Sequence, residues 1–214
     1  LKNKNQPMKK ITLFCFFILL CSILSAQNDS MLYHNGNFES QYGSSGAYPG
    51  TDYMQCVVRF TPPYYPAQLT GVRGYFRNTA APAPFRFVIY TDPAGSASGP
   101  PTSYSYISPS PITNPADGGM TDTAYNYFSD LTSAGIIINS GDVYAGATQY
   151  SQINGFVGMA IDTNNGYAYL NRNWISTSQG VPGSWWQMIN WTFTAGNWGV
   201  TAFFAPISTF ANVS

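Results

Sequence analysis

Five tryptophans, Trp174, Trp185, Trp186, Trp191 and Trp198, fall within 25 residues of one another, and Tyr167 and Tyr169 lie just upstream. Flat rings beside Asn and Gln amides suit carbohydrate, because the apolar face of a sugar stacks on an aromatic ring while its hydroxyls take directed hydrogen bonds. Trp174, Trp185, Trp186, Trp191 and Tyr169 are therefore the candidate ligand-binding residues. The competing use of the same rings is to fill a core, which would leave one or two of them for a ligand. In Trp185-Trp186 neighbouring side chains on a strand point to opposite faces, so one can be buried while the other is exposed.

Catalytic chemistry has little to draw on. Beyond Gln27 the chain holds one histidine (His34), one glutamate (Glu39) and no lysine. A Ser-His-Asp triad would have to use His34, and the nucleophile-elbow pattern is missing from the sequence. In Tyr33-His34-Asn35-Gly36-Asn37 the histidine reads as a surface or edge residue. Glycoside hydrolysis needs two carboxylates at a defined separation. Glu39 and Asp52 are the pair to test, because Asp92, Asp117, Asp142 and Asp162 sit in turn sequences. No catalytic residue is assigned. Zinc-ligand spacing is absent, and Asp162-x-Asn164-x-Gly166 resembles the start of a calcium loop without its later bidentate Glu. No cofactor is expected; a structural calcium ion assembled from Asp92, Asp117 and Asp122 is left open.

These side chains must be carried by strands. Short β-branched and aromatic runs recur, punctuated by Gly, Pro, Asn, Asp and Ser, and no segment shows a capped helical period. Strands are expected near Met54–Thr61, Gln68–Arg77, Phe85–Thr91, Thr102–Ile107, Thr123–Phe128, Gly135–Ile138, Val143–Gln149, Phe156–Ile161, Tyr167–Asn171, Trp186–Ile189 and Val200–Ala205. Alternation in Val72–Arg77 and Phe85–Tyr90 sends Arg73 and Arg86 to solvent and their neighbours to the core. About ten short strands without intervening helices imply an all-β fold, an antiparallel β-sandwich of jelly-roll type, with a closed barrel as the alternative. Asp162-Thr163-Asn164-Asn165-Gly166 is the strongest hairpin sequence. One domain with a single core is expected over residues 27–206, followed by a tail, 207–214, where a longer reading frame could have been cut.

Charge and export narrow the function. Only 8% of the residues are charged, whereas hydrophobics reach 44% and aromatics 16%, which argues for a packed core. All four lysines lie in the first ten residues. Beyond Gln27 five arginines face nine acids, a net charge of −4, which excludes nucleic-acid binding through a basic patch. Met8-Lys9-Lys10, the apolar run Ile11–Leu24 and Ser25-Ala26-Gln27 have the layout of a secretory signal peptide. Residues 1–26 are read as that leader, its start at Met8, cleaved after Ala26. The run is too short to span a bilayer, so no membrane insertion is expected once it is removed. Cys15 and Cys21 go with the leader, and Cys56 reads as a small buried hydrophobe.

The order of the strand sequences carries a resemblance. Val57-Val58-Arg59-Phe60-Thr61-Pro62-Pro63-Tyr64-Tyr65-Pro66 leads to Leu69–Phe76, then to Phe85–Asp92, Gly99-Pro100-Pro101, Ser140–Gly146 and Gly158–Asp162. This resembles the accessory β-sandwich modules of large secreted bacterial proteins, often associated with type IX secretion. The resemblance implies a jelly-roll-like fold and a non-catalytic extracellular role. The sorting domain such proteins carry downstream is missing from this sequence, and no functional residue is carried over. The expected function is a secreted, non-catalytic module for adhesion, matrix assembly or surface display. The alternatives are a carbohydrate-binding module using the C-terminal aromatic residues and an accessory domain of a secreted hydrolase. The expected partners are an extracellular glycan or protein surface, or a second copy paired through a sheet edge.

Overall fold

The structure, a computed structural model, describes residues 29–43, 48–78, 83–95, 98–114, 125–152, 157–163, 171–179, 184–188 and 196–207. The expected leader, Tyr169, Trp191, the expected turn at Asn164–Gly166, the expected strand Tyr167–Asn171 up to its last residue and most of the tail lie outside the described residues. The strands are β1 (Asp29–Leu32), β2 (Ser40–Tyr42), β3 (Tyr48–Phe60), β4 (Ala67–Asn78), β5 (Ala83–Asp92), β6 (Tyr106–Ile107), β7 (Ile112–Asn114) and β8 (Tyr125–Asp130). After a 3-10 turn at Thr132–Ala134 come β9 (Ile137–Ile138), β10 (Asp142–Gln152), β11 (Val157–Asp162), β12 (Asn173–Gln179), β13 (Trp186–Gln187), β14 (Asn197–Trp198) and β15 (Val200–Pro206). No helix among the described residues is long and apolar enough to cross a membrane.

The strands form two antiparallel sheets packed face to face. The first runs β1-β15-β4-β11-β14, with β2 beside β11 and with β8 and β9 beside β4. The second runs β13-β12-β3-β10-β5-β6, and β7 also pairs with β5. The long strands alternate between layers, from β3 (second) to β4 (first) to β5 (second), and again from β10 through β11 and β12 to β15. Crossing from layer to layer at each step is the jelly-roll habit of an all-β sandwich.

Side-chain alternation explains the inner faces. On β4, Val72, Gly74 and Phe76 are buried while Arg73, Tyr75 and Arg77 are half-exposed on the outer side. The main core collects Phe60, Leu69, Phe76, Phe87, Trp198 and Phe204 among others, with Cys56 buried in it. At one end the layers are tied by amides: Asn173 Nδ2 donates to Asn197 Oδ1 at 3.0 Å, and Trp198 N–H donates to Asn173 Oδ1 at 2.9 Å.

A second apolar cluster departs from the expectation of a single core. Val57, Val88, Tyr90, Tyr144 and Trp174 are buried on the outer face of the second sheet, with Tyr104, Ile107 and Trp185 packed against them. The chain between β5 and β6 provides much of the cover. Gly99 lies so close to the Trp174 ring that a Cβ there would sit 3.0 Å from it, and Tyr104 reaches Gln55 and Tyr90. Hence only Tyr106–Ile107 of the expected strand Thr102–Ile107 joins the ladder; the preceding residues are drawn across the sheet. β12 is a strand that the sequence reading placed nowhere, its Ser- and Thr-rich run concealing Trp174 and Ile175.

Candidate functional site

The tryptophan-rich stretch does not converge on one platform. Trp198 is fully buried in the main core and Trp174 is 4% exposed in the second cluster. Trp185 is half-buried, its ring edge-on to Tyr90 at 5.5 Å. Trp186, by contrast, is 45% exposed on β13, where it pairs with Ile175 of β12. The adjacent Trp185 and Trp186 thus divide between opposite sides of the chain, the first packed on the second cluster and the second exposed. Of the candidate ligand-binding residues, Trp186 presents the ring best placed for an external partner. Tyr169 and Trp191 lie outside the described residues.

The ionisable candidates are engaged in holding the fold. His34 is not a surface or edge residue but is buried, because the chain before β2 folds back over the outer face of the first sheet. Its ring lies 5.0 Å from both Phe38 and Tyr75, and Nε2 is 3.2 Å from Thr201 Oγ1. Burial lowers its pKa from 6.5 to about 4, an effect only partly offset by the Asp162 carboxylate. A histidine in that range is neutral near pH 7 and a weak base there. Asp162 is itself fully buried and accepts the Asn35 N–H at 2.7 Å.

Glu39 and Asp52 are not brought together as an acid-base pair. Glu39 precedes β2 of the first sheet and accepts from Thr163 N–H and Oγ1 at 2.9 and 3.3 Å. Asp52, on β3 of the second, is ion-paired with Arg86, whose guanidinium lies 4.6 Å over the Tyr150 ring. Arg86 is accordingly less open to solvent than simple alternation implies. Asp92 caps its own turn by accepting the Ala94 N–H at 3.2 Å. Asp142 accepts the Thr61 hydroxyl at 2.6 Å and lies 3.9 Å from Arg59 Nε. Burial pushes the Cys56 thiol well above its ordinary pKa, which leaves it a poor nucleophile. Among the described residues no three His, Cys, Asp or Glu side chains are grouped to hold a metal ion; Asp117 and Asp122 lie outside them.

Sequence reasoning missed a cleft on the outer face of the first sheet. One end of that face is closed by His34 and Phe38, and a Cβ at Gly199 would lie 2.8 Å from the Phe38 ring. The other end opens into a cleft of about 470 Å³ lined by Arg73, Phe128 and Phe203, with Ser30, Asp130 and Thr132 among the polar lining groups. Register places Phe128 of β8 opposite Arg73 of β4, and Asp130 opposite Gly71. Gly71 makes room for the Phe128 ring, which would be only 2.6 Å from a Cβ there. Phe128 meets Phe203 edge-on at 5.4 Å, and the Arg73 guanidinium lies 5.9 and 5.5 Å from the two ring centroids. The alternation around Arg73 predicted an outward cation; the distant pairing of β4 with β8 and β15, which supplies the rings, is not a local property of the sequence. Neither a family model, nor a curated protein, nor a solved structure matches the chain.

Proposed function

We propose that the chain is a secreted, non-catalytic β-sandwich module that binds an extracellular partner in adhesion, matrix assembly or surface display. The observation that supports this reading is the disposition of its reactive groups. His34, Glu39, Asp52, Asp142 and Cys56 are each buried or engaged in structural contacts, while large rings are held at the surface. Such a surface binds through stacking and directed hydrogen bonds. The leader-like start and the resemblance to accessory modules of secreted bacterial proteins agree with an extracellular setting.

A second, narrower reading is carbohydrate binding through Trp186, favoured by its exposed indole on an edge strand. The purified protein, applied to a glycan array and to immobilised matrix protein, is expected to bind without releasing products. For a glycan held through this ring, Trp186→Ala is expected to weaken binding at least about tenfold, the scale of losing one well-stacked aromatic contact. Sustained turnover of a peptide, ester or glycoside by the parent protein would overturn the non-catalytic reading. Glycan binding that survives Trp186→Ala unchanged would remove Trp186 from the site.

A further inference from the structure

We propose that the cleft on the outer face of the first sheet binds an acidic sugar, a uronate unit of an extracellular polysaccharide, with Arg73 as its carboxylate receptor. This rests on the reading of the chain as a binding module, but it uses a different sheet from Trp186. The five arginines beyond the leader make the case. Arg59 is paired with Asp142 and Arg86 with Asp52; Arg77 donates to Phe38 O at 3.4 Å and Arg172 to Arg59 O at 3.3 Å. Arg73 stands apart: among the described residues its guanidinium meets two phenyl rings and no oxygen, and its Nε, like that of Arg59, is buried without a hydrogen-bond partner. An oxygen supplied to a half-exposed guanidinium flanked by two rings gains more than one at a fully solvated arginine. The planar fork of guanidinium fits a carboxylate with two parallel hydrogen bonds. Contact with both rings holds that fork in place before any ligand arrives.

The rest of the cleft selects among carboxylates. Phe128 is 51% exposed and braced edge-on by Phe203, a rigid apolar plate on which the C–H face of a pyranose can lie. Ser30 and Thr132 contribute hydroxyl-bearing residues to the lining. Asp130 is exposed, and the Thr132 N–H, bonded to it at 2.9 Å, holds its carboxyl below the usual pKa, so it stays ionised as an acceptor. An acidic peptide brings Asp130 further carboxylates and no hydroxyls to donate to it. A uronate has one carboxylate for Arg73 and several hydroxyls that can donate to Asp130. The volume of about 470 Å³ lies in the range of small-ligand sites.

The test is titration of the purified protein with oligogalacturonate and oligomannuronate, each against its carboxyl-reduced neutral counterpart. At least one acid form is expected to bind tenfold or more tighter than its neutral counterpart, with the preference shrinking as salt rises. Arg73→Met is expected to abolish that preference, and Phe128→Ala to weaken acid and neutral forms alike. Asp130→Asn, a substitution at an exposed side chain that leaves the core untouched, is expected to weaken both forms. Equal affinity for acid and neutral forms, a preference that survives Arg73→Met in a folded variant, or tighter binding of a poly-Asp peptide would each overturn the proposal. Loss of uronate binding in Trp186→Ala with Arg73→Met unaffected would also overturn it, while leaving the binding-module reading intact.

Discussion

Replacing His34 with glutamine is expected to flatten the acid sensitivity of the fold between pH 7 and pH 5. His34 is the one histidine in the sequence, so in that window its proton dominates the linkage between pH and stability. In the fold its ring is enclosed by Phe38 and Tyr75, and burial lowers its pKa from 6.5 to about 4, with Asp162 opposing. The unfolded chain therefore binds the proton more readily. The stability associated with the neutral ring is complete above pH 6.5 and drains away as the pH falls towards 4, below which both states are protonated. The gap between the two values is worth about 3 kcal/mol in all, of which about 2 kcal/mol is lost between pH 7 and pH 5. For a domain of this size that is about 4–8 °C in Tm. Urea unfolding followed by tryptophan fluorescence at pH 7, 6 and 5 measures it directly. His34→Gln keeps a hydrogen-bonding group for Thr201 but does not titrate, so subtracting its curve removes the contribution of the carboxylates. Parallel curves for parent and variant would refute the assignment, since they would mean that the ring is as accessible to a proton in the fold as out of it.

Further substitutions test the second sheet. Tyr90 is buried, its hydroxyl donates to Gln55 Oε1, and Gln55 Nε2 donates to Tyr104 Oη at 2.6 Å. Tyr90→Phe leaves a buried amide oxygen without that donor and is expected to cost about 1–3 kcal/mol by urea unfolding; adding Gln55→Leu should cost less than the sum of the two single changes, because the orphaned group is then removed. At Gly146 of β10 a methyl group would lie 2.0 Å from the Cys56 carbonyl oxygen and 2.7 Å from Val57 Cα. Those are backbone atoms of the neighbouring strand, so Gly146→Ala is expected to lose about 3 kcal/mol or more, and a variant with parental stability would show that the two central strands are not so closely apposed.

Much of the architecture was legible because strand periodicity is a local property. Val72–Arg77 alternates cleanly, and β4 alternates with it. Phe87-Val88-Ile89-Tyr90 and Cys56-Val57-Val58 do not alternate; consecutive apolar residues on a strand signal cover on both faces, and that cover is the second cluster. The signal was present in the sequence and pointed to a second layer of packing. β12 was missed because Ser176, Thr177 and Ser178 read as loop, whereas Ser176 is buried in the ladder next to β3. His34 was misplaced because its burial depends on Thr201, 167 residues away. The Arg73 cleft combines β1, β4, β8 and β15, whose adjacency follows from topology alone.

The two outer faces of the sandwich explain where binding can reside. The second sheet is closed by its own chain: Tyr104, Ile107 and Trp185 lie over Tyr90, Tyr144 and Trp174, so these aromatic residues stabilise the fold and, among the described residues of the sheet, the edge at Trp186 is left prominent. The first sheet is covered at one end by His34 and Phe38 and open at the other, where Phe128 remains 51% exposed. With few charges and no lysine beyond residue 10, the surface cannot draw partners by a broad field, and its salt-insensitive contacts must come from rings and hydroxyls. One arginine without an oxygen partner among the described residues then carries unusual weight, because it adds a directed, charge-assisted contact to a surface that otherwise offers stacking. Affinity at such a site would come mainly from the Phe128 plate and selectivity from Arg73, so exchanging the cation for a neutral side chain should change which sugar is held more than whether a sugar is held.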